Sequence, residues 1–264
     1  MLQVRSVKVT TVVDNDVCKE GLASSWGLSF YVEVNRCNEK KRTVLMDTGG
    51  SFKAFHRNAL KLGLDVADVE AVFISHWHGD HYGALNQVLS IIGHPVPVYV
   101  PSADSLELQQ IRTAGGNAIV RLEPTELAVG AMSTGEMSTE ISEHSLIINV
   151  RDTGLAVLTG CSHPRIVSIL TRAQEVSHTD HVCAVMGGFH ISSVQAGRKV
   201  GEFIKRMGVE IVSPCHCTGR DAKNEMAKIL GRRYVRNGSG KITTIGQRCR
   251  PTNQHVSNQQ GVEG

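Results

Sequence analysis

Short apolar runs separated by polar turns make up most of the chain. Residues 4–13 are rich in β-branched side chains. Residues 27–34 (GLSFYVEV) alternate with the period of two expected of a strand, and 42–46 (RTVLM) form another that Asp47-Thr48-Gly49-Gly50 closes. Residues 52–62 have helical spacing and stop at Gly63. A compact apolar strand at 69–74 leads into the polar run 75–81, a helix at 82–92 stopped by Gly93 and Pro95, and a strand at 96–100. The second half predicts a hairpin of 146–150 and 155–159. Helices at 166–176, 194–207 and 222–230 then alternate with strands at 182–186, 209–212 and 242–245. Segment 102–142 has weak periodicity and many small residues, and is expected to be a variable loop or small insertion. This order suits an α/β protein in which two mixed sheets pack face to face with helices outside.

Composition narrows the partners. With 264 residues and 41% hydrophobic content the chain can bury a sizeable core. We read 1–250 as one domain and 251–264 as a loose polar tail. A net charge of only +3 argues against nucleic acid as a partner, and no apolar run approaches the roughly 18 residues that span a bilayer. The opening MLQVRSVKVT reads as a strand rather than an export signal, so the expected location is cytoplasmic. Seven cysteines, an odd number, fit free thiols better than a disulfide framework.

The densest chemistry is Ser75-His76-Trp77-His78-Gly79-Asp80-His81, which follows an apolar strand and opens a helix. Four candidate ligands within six residues suit metal binding. Imidazoles accept zinc, iron, nickel or copper, and the carboxylate adds a harder donor. Such density suggests two ions, with His76 and His78 on the first and Asp80 and His81 on the second. Trp77, between two ligands, is a candidate pocket wall, whereas His56, His94, His178, His181 and His255 lack neighbouring ligands and read as structural or surface residues.

This string resembles the hallmark of the metallo-β-lactamase superfamily, which implies the metallo-β-lactamase fold, an αββα sandwich with metals where the two sheets meet. By that resemblance Asp47 supports the site from behind, and Cys161 stands where the superfamily often has a bridging aspartate. A thiolate there shifts preference toward zinc. His163 takes the place of the usual third histidine, with Glu143 and His144 as alternatives. His190 resembles a non-ligand acid histidine, with a metal role left open, and His216 matches the final metal histidine. Alternation puts Cys215 and Cys217 on the face opposite His216, in packing or loop roles.

Gly-Cys-Ser-His-Pro, Gly-Gly-Phe-His and Pro-Cys-His-Cys-Thr-Gly, with Trp26-Gly27-Leu28-Ser29 upstream, narrow the resemblance to the dihydropterin-synthase-like branch, which is related to methanopterin biosynthesis. Arg165 stands where that branch tends to have glycine, and is a candidate contact for an anionic substrate. Thr218 precedes a helix whose first amides can hold an anion, and is a second candidate.

The resemblance implies a hydrolase in which one or two zinc ions, with manganese or iron as alternatives, activate water against an ester or phosphoester of a small molecule. Asp80 orients the nucleophile and His190 supplies a proton. The alternative is a synthase acting on a pterin-type substrate with a pyrophosphate leaving group. A redox or sensor protein is a third class, disfavoured by the cysteine at the bridging position.

Overall fold

The structure, a computed structural model, describes residues 2–36, 40–127 and 130–246. The segment expected to be a loose tail, 251–264, lies outside the described residues, as do Cys37, Cys249 and His255.

Two seven-stranded sheets form the centre. The first runs, in spatial order, Ile242–Gly246, Ser6–Val13, Ser29–Asn35, Arg42–Met46, Ala71–Phe73, Pro97–Val100 and Asn117–Val120. The second runs Ile211–Cys215, Val182–Gly188, Gly154–Thr159, Leu146–Val150, Ala131–Ser133 and Thr125–Leu127, with Gln3–Val4 pairing beside Leu146–Val150. Alternation assigns the faces. Phe30, Val32 and Val34 join Leu146, Ile148 and Met186 between the sheets, while Tyr31 and Leu45 turn outward onto helices Phe52–Leu62 and Leu85–Ile92. The outer face of the second sheet packs on helices Ile166–Ser177, Val194–Arg206 and Arg220–Leu230. The result is an αββα sandwich. Each fully buried large side chain in it contributes roughly 1.5–3 kcal/mol, so truncating Phe30 or Phe73 to alanine costs about 3–5 kcal/mol.

Local signals explain most boundaries. Ser51 caps helix Phe52–Leu62 by accepting from Ala54 N, and Gly63 ends it with φ 66°. The helix expected at 82–92 is instead Gly79–Tyr82 followed by Leu85–Ile92. Gly83 separates the two, and a Cβ there would run into the backbone oxygen of Gly79 and press on Gly50. Segment 102–142 corrects the expectation of a loop or insertion. It carries helix Ser105–Thr113 and supplies the outermost strand of each sheet, Asn117–Val120 and Thr125–Leu127. Edge strands this short leave too little sequence for a period to register.

Strand direction places the chemistry. Arg42–Met46 and Ala71–Phe73 are parallel neighbours in one sheet, as are Gly154–Thr159, Val182–Gly188 and Ile211–Cys215 in the other. Their C-terminal ends deliver Asp47, the 75–81 run, Cys161, His190 and His216 to one edge of the sandwich, where ligands of α/β sheets ordinarily bind.

Candidate metal centre

Five backbones at this edge are held in an unfavourable region. Asp47, Ser162, Arg165, His190 and His216 have φ of 56°, 63°, 73°, 49° and 49°. Each such residue costs of order 1–3 kcal/mol, and such strain gathers where function requires it. The left-handed turn at His216 also breaks the alternation assumed from sequence. Cys215 is buried in the core as expected, but Cys217 swings to the cluster, with its thiol 3.6 Å from Cys161 O.

Imidazoles converge here because the far side of each ring is held. His76 Nδ1 meets Ser75 Oγ at 2.9 Å, and Ser75 Oγ donates to Asp47 Oδ2 at 2.7 Å. With Asp47 ionised, His81 Nδ1 donates to the same carboxylate at 2.6 Å. His163 Nδ1 donates to Glu143 Oε2 at 2.7 Å, and His216 Nδ1 to Asn15 Oδ1 at 3.2 Å. The Asn15 amide is oriented by Gly27 N, which donates to its oxygen, and by His216 O, which accepts from its nitrogen. An acceptor opposite each Nδ1 leaves the Nε2 lone pair for the interior of the cluster.

Those lone pairs face one another. His81 Nε2 lies 3.1 Å from His216 Nε2 and 3.3 Å from Cys161 Sγ, and His76 Nε2 lies 3.2 Å from His78 Nδ1. Asp80 Oδ2 is 3.2 Å from His216 Nε2. Donor atoms of His76, His78 and His163 lie within 4.8 Å of one another, as do those of Asp80, His81 and His216. Cys161 belongs to three further such groups, with His76 and His81, with His216 and Cys217, and with His163 and His190. Every residue singled out as a ligand from sequence therefore comes to one place. Among the alternatives, Glu143 acts as a support and His144 sits apart, stacked on Phe73 and bonded to Ile74 O and Ser133 Oγ.

Electrostatics divides the rings: against their burial, the Glu143 hydrogen bond raises His163 and the Asp80 hydrogen bond raises His216, whereas His76 and His81 are held neutral. Burial, and then the neighbouring His81, pulls His76 down to about 2, while burial and His216 pull His81 down to about 3. Burial opposes ionisation of Asp80, but the His216 hydrogen bond and the charge of His81 hold it below the usual carboxylate range. The hydrogen bond between the two thiols pulls Cys217 down to about 6 against its burial and pushes Cys161 up.

The profile of the metallo-beta-lactamase superfamily matches residues 27–144, which include Asp47 and the whole 75–81 run. Over that stretch the chain is similar to the metallo-β-lactamase superfamily. It is 27% identical to the 7,8-dihydropterin-6-methyl-4-(beta-D-ribofuranosyl)-aminobenzene-5'-phosphate synthase of Methanocaldococcus jannaschii, over 83% of this chain and 90% of that one. Among solved structures it is similar to Tm1679, described as a metal-dependent hydrolase of the beta-lactamase superfamily, with a TM-score of 0.71 and 26% identity over 90% of this chain and 98% of that one. The short form of human tRNase Z shares the superfamily fold, with a TM-score of 0.57 and 14% identity over 89% and 98% of the two chains.

His190 is exposed, with its ring centroid 4.8 Å from that of His163. Arg165 is exposed and lines a cavity of about 570 Å³ with His163, His190, Phe189 and Ile191. Thr218 is buried, and its hydroxyl accepts from Phe189 N at 3.0 Å, so it works as a strut between two loops. The two tryptophans sit differently. Trp77 spends its indole N–H on Ser102 O, whereas Trp26 is 66% exposed with its ring 5.4 Å from His216.

Sequence reasoning missed Asn15 altogether, since nothing in Val13-Asp14-Asn15 marks it except its place after a strand. It weighed Glu143 only as a ligand. Buried among apolar strands, that carboxylate accepts from the backbone N–H groups of Cys161, Ser162 and His163 as well as from the His163 ring. These bonds, the His163 ring's first among them, hold it down to about 2 despite its burial.

Proposed function

We propose that the chain is a metal-dependent hydrolase acting on an ester or phosphoester of a small, anionic molecule. His76, His78 and His163 would hold one zinc-class ion and Asp80, His81 and His216 a second, and Cys161 would add a thiolate donor. Manganese or iron are the alternatives to zinc. The observation that carries this reading is the convergence of Nε2 lone pairs from His76, His81, His163 and His216, each fixed by an acceptor at Nδ1. Without a cation, such facing lone pairs gain nothing. Asp47 supports the same conclusion. Burial pushes its carboxyl well above the usual range, opposed by the Ser75 hydrogen bonds, and a cation among the imidazoles compensates its charge.

When bound, such ions supply Lewis-acid chemistry and make a nucleophile of water near neutral pH. The chain's own residues do the rest. Asp80 orients the attacking water. His190, exposed beside His163, donates a proton to the leaving group. Arg165 receives the anionic part of the substrate in the adjoining cavity, and its φ of 73° supports the assignment, since a bulky cation there is retained at a cost in strain. Trp26 gives the opposite side of the mouth an apolar face. The free thiols of Cys18, Cys161, Cys183, Cys215 and Cys217 support a reducing, cytoplasmic location. Among the described residues no helix is long and apolar enough to cross a membrane.

A second reading, a synthase acting on a pterin-type substrate with a pyrophosphate leaving group, is favoured by the 27% identical relative, whose name is that of a synthase. One screen separates the two. Phosphodiesters, phosphomonoesters, lactones and thioesters are offered with water as the sole co-substrate, before and after chelation. Chelator-sensitive turnover of any of them supports the hydrolase. Inertness toward all, with pyrophosphate release only when a second organic substrate is present, supports the synthase.

A further inference from the structure

A second cavity, of about 370 Å³, lies beside Pro214 and against the first turns of helix Arg220–Leu230, and it contains none of the donor-cluster residues. Its volume falls at the low end of the range for small-molecule sites. Arg220, Lys223 and Arg236 line it, with Asp16 the one carboxylate among its lining residues. Lys223 Nζ pairs with Asp16 Oδ2 at 2.6 Å. Arg220 and Arg236 are exposed and, among the described residues, have no ion-pair partner.

Asn237 points to the missing occupant. It also lines the cavity, yet it is only 3% exposed. Its Oδ1 accepts from Thr11 Oγ1 at 2.7 Å and from Gly238 N at 2.9 Å, and the backbone donor fixes which way round the amide lies. Its Nδ2 has no partner among the described residues. A buried amide donor without an acceptor costs about 1–3 kcal/mol, and an acceptor in the cavity removes that cost.

We propose that this cavity binds a phosphate-class oxyanion at a site separate from the donor cluster. The two guanidinium groups and the Lys223 ammonium supply charge. The Asn237 amide supplies a directed hydrogen bond. The volume exceeds that of a bare phosphate, so the anion can be free phosphate or the phosphate of a small organic ester, with Tyr234 beside its organic part.

Calorimetric titration of the metal-loaded protein with inorganic phosphate and with ribose 5-phosphate tests this. The expected result is a saturable binding event for at least one probe that is weakened about tenfold or more in Arg220→Ala/Arg236→Ala and that persists in Arg165→Ala. Both arginines of the double variant are exposed, and an unchanged thermal midpoint confirms that it folds. Tighter binding of ribose 5-phosphate assigns the site to an organic phosphate, and equal binding assigns it to the free anion. Absence of saturable binding by either probe, equal affinity in Arg220→Ala/Arg236→Ala, or loss of binding in Arg165→Ala overturns the proposal. The last result would move the anion to the mouth of the donor cluster.

Discussion

The two halves of the donor cluster present the same kind of atom but are built differently. His76, His78, Asp80 and His81 come from one loop, and a single carboxylate, Asp47, braces it by bonding His81 directly and His76 through Ser75. Cys161, His163, His190 and His216 come from the ends of three different strands. They need two separate braces, Glu143 for the 161–163 turn and Asn15 for His216. A compact loop can carry its own geometry in sequence. A dispersed set depends on the register of the sheet and on polar residues far away in the chain.

The largest effects should come from breaking either half. His76→Ala and His216→Ala should each lose metal and drop turnover by more than the about 10–100-fold expected for loss of a supporting partner. Elemental analysis alongside kinetics measures both, and full activity in either variant would contradict the shared cluster. His190→Ala sharpens the contrast within the dispersed half. It should keep the wild-type metal content while kcat falls by about 10²–10⁴-fold, and metal loss would make His190 a ligand instead.

The braces come next. Asp47→Asn should weaken metal affinity about 10–100-fold through both His76 and His81. Glu143→Gln should weaken the ion held by His163 and, by turning an amide toward three backbone N–H groups, lower stability by about 1–3 kcal/mol. Metal titration and thermal melts of the two variants test whether the braces act on different donors, and identical profiles would argue against it. The smallest effect is expected at Arg165. Arg165→Gly should raise stability by about 1–3 kcal/mol as strain is relieved and raise KM for anionic substrates more than for neutral ones. A uniform change in both KM values would remove its proposed role.

How much the sequence reveals follows the same division. The sandwich was legible because strand and helix periods differ, and because caps such as Ser51 and Gly63 mark boundaries locally. The 75–81 run was legible because its candidate donors are adjacent. The approach of Cys161, His163 and His216 to the same place was anticipated from resemblance, helped by their position after apolar strands. Asn15, the bracing role of Glu143 and the inward swing of Cys217 were not legible. Each depends on a left-handed turn or a long-range hydrogen bond, and neither leaves a period in the chain. The difference between Trp26 and Trp77 has the same cause. Neighbouring ligands in sequence do not determine which way a loop side chain points.

Metal content of the protein purified without chelator, measured by elemental analysis on the wild type and on His216→Ala together, tests the central claim most directly. The account predicts about one to two equivalents of a zinc-class ion per wild-type chain, with a loss in His216→Ala that parallels the loss of activity. A metal-free wild type whose turnover is indifferent to chelator would contradict it.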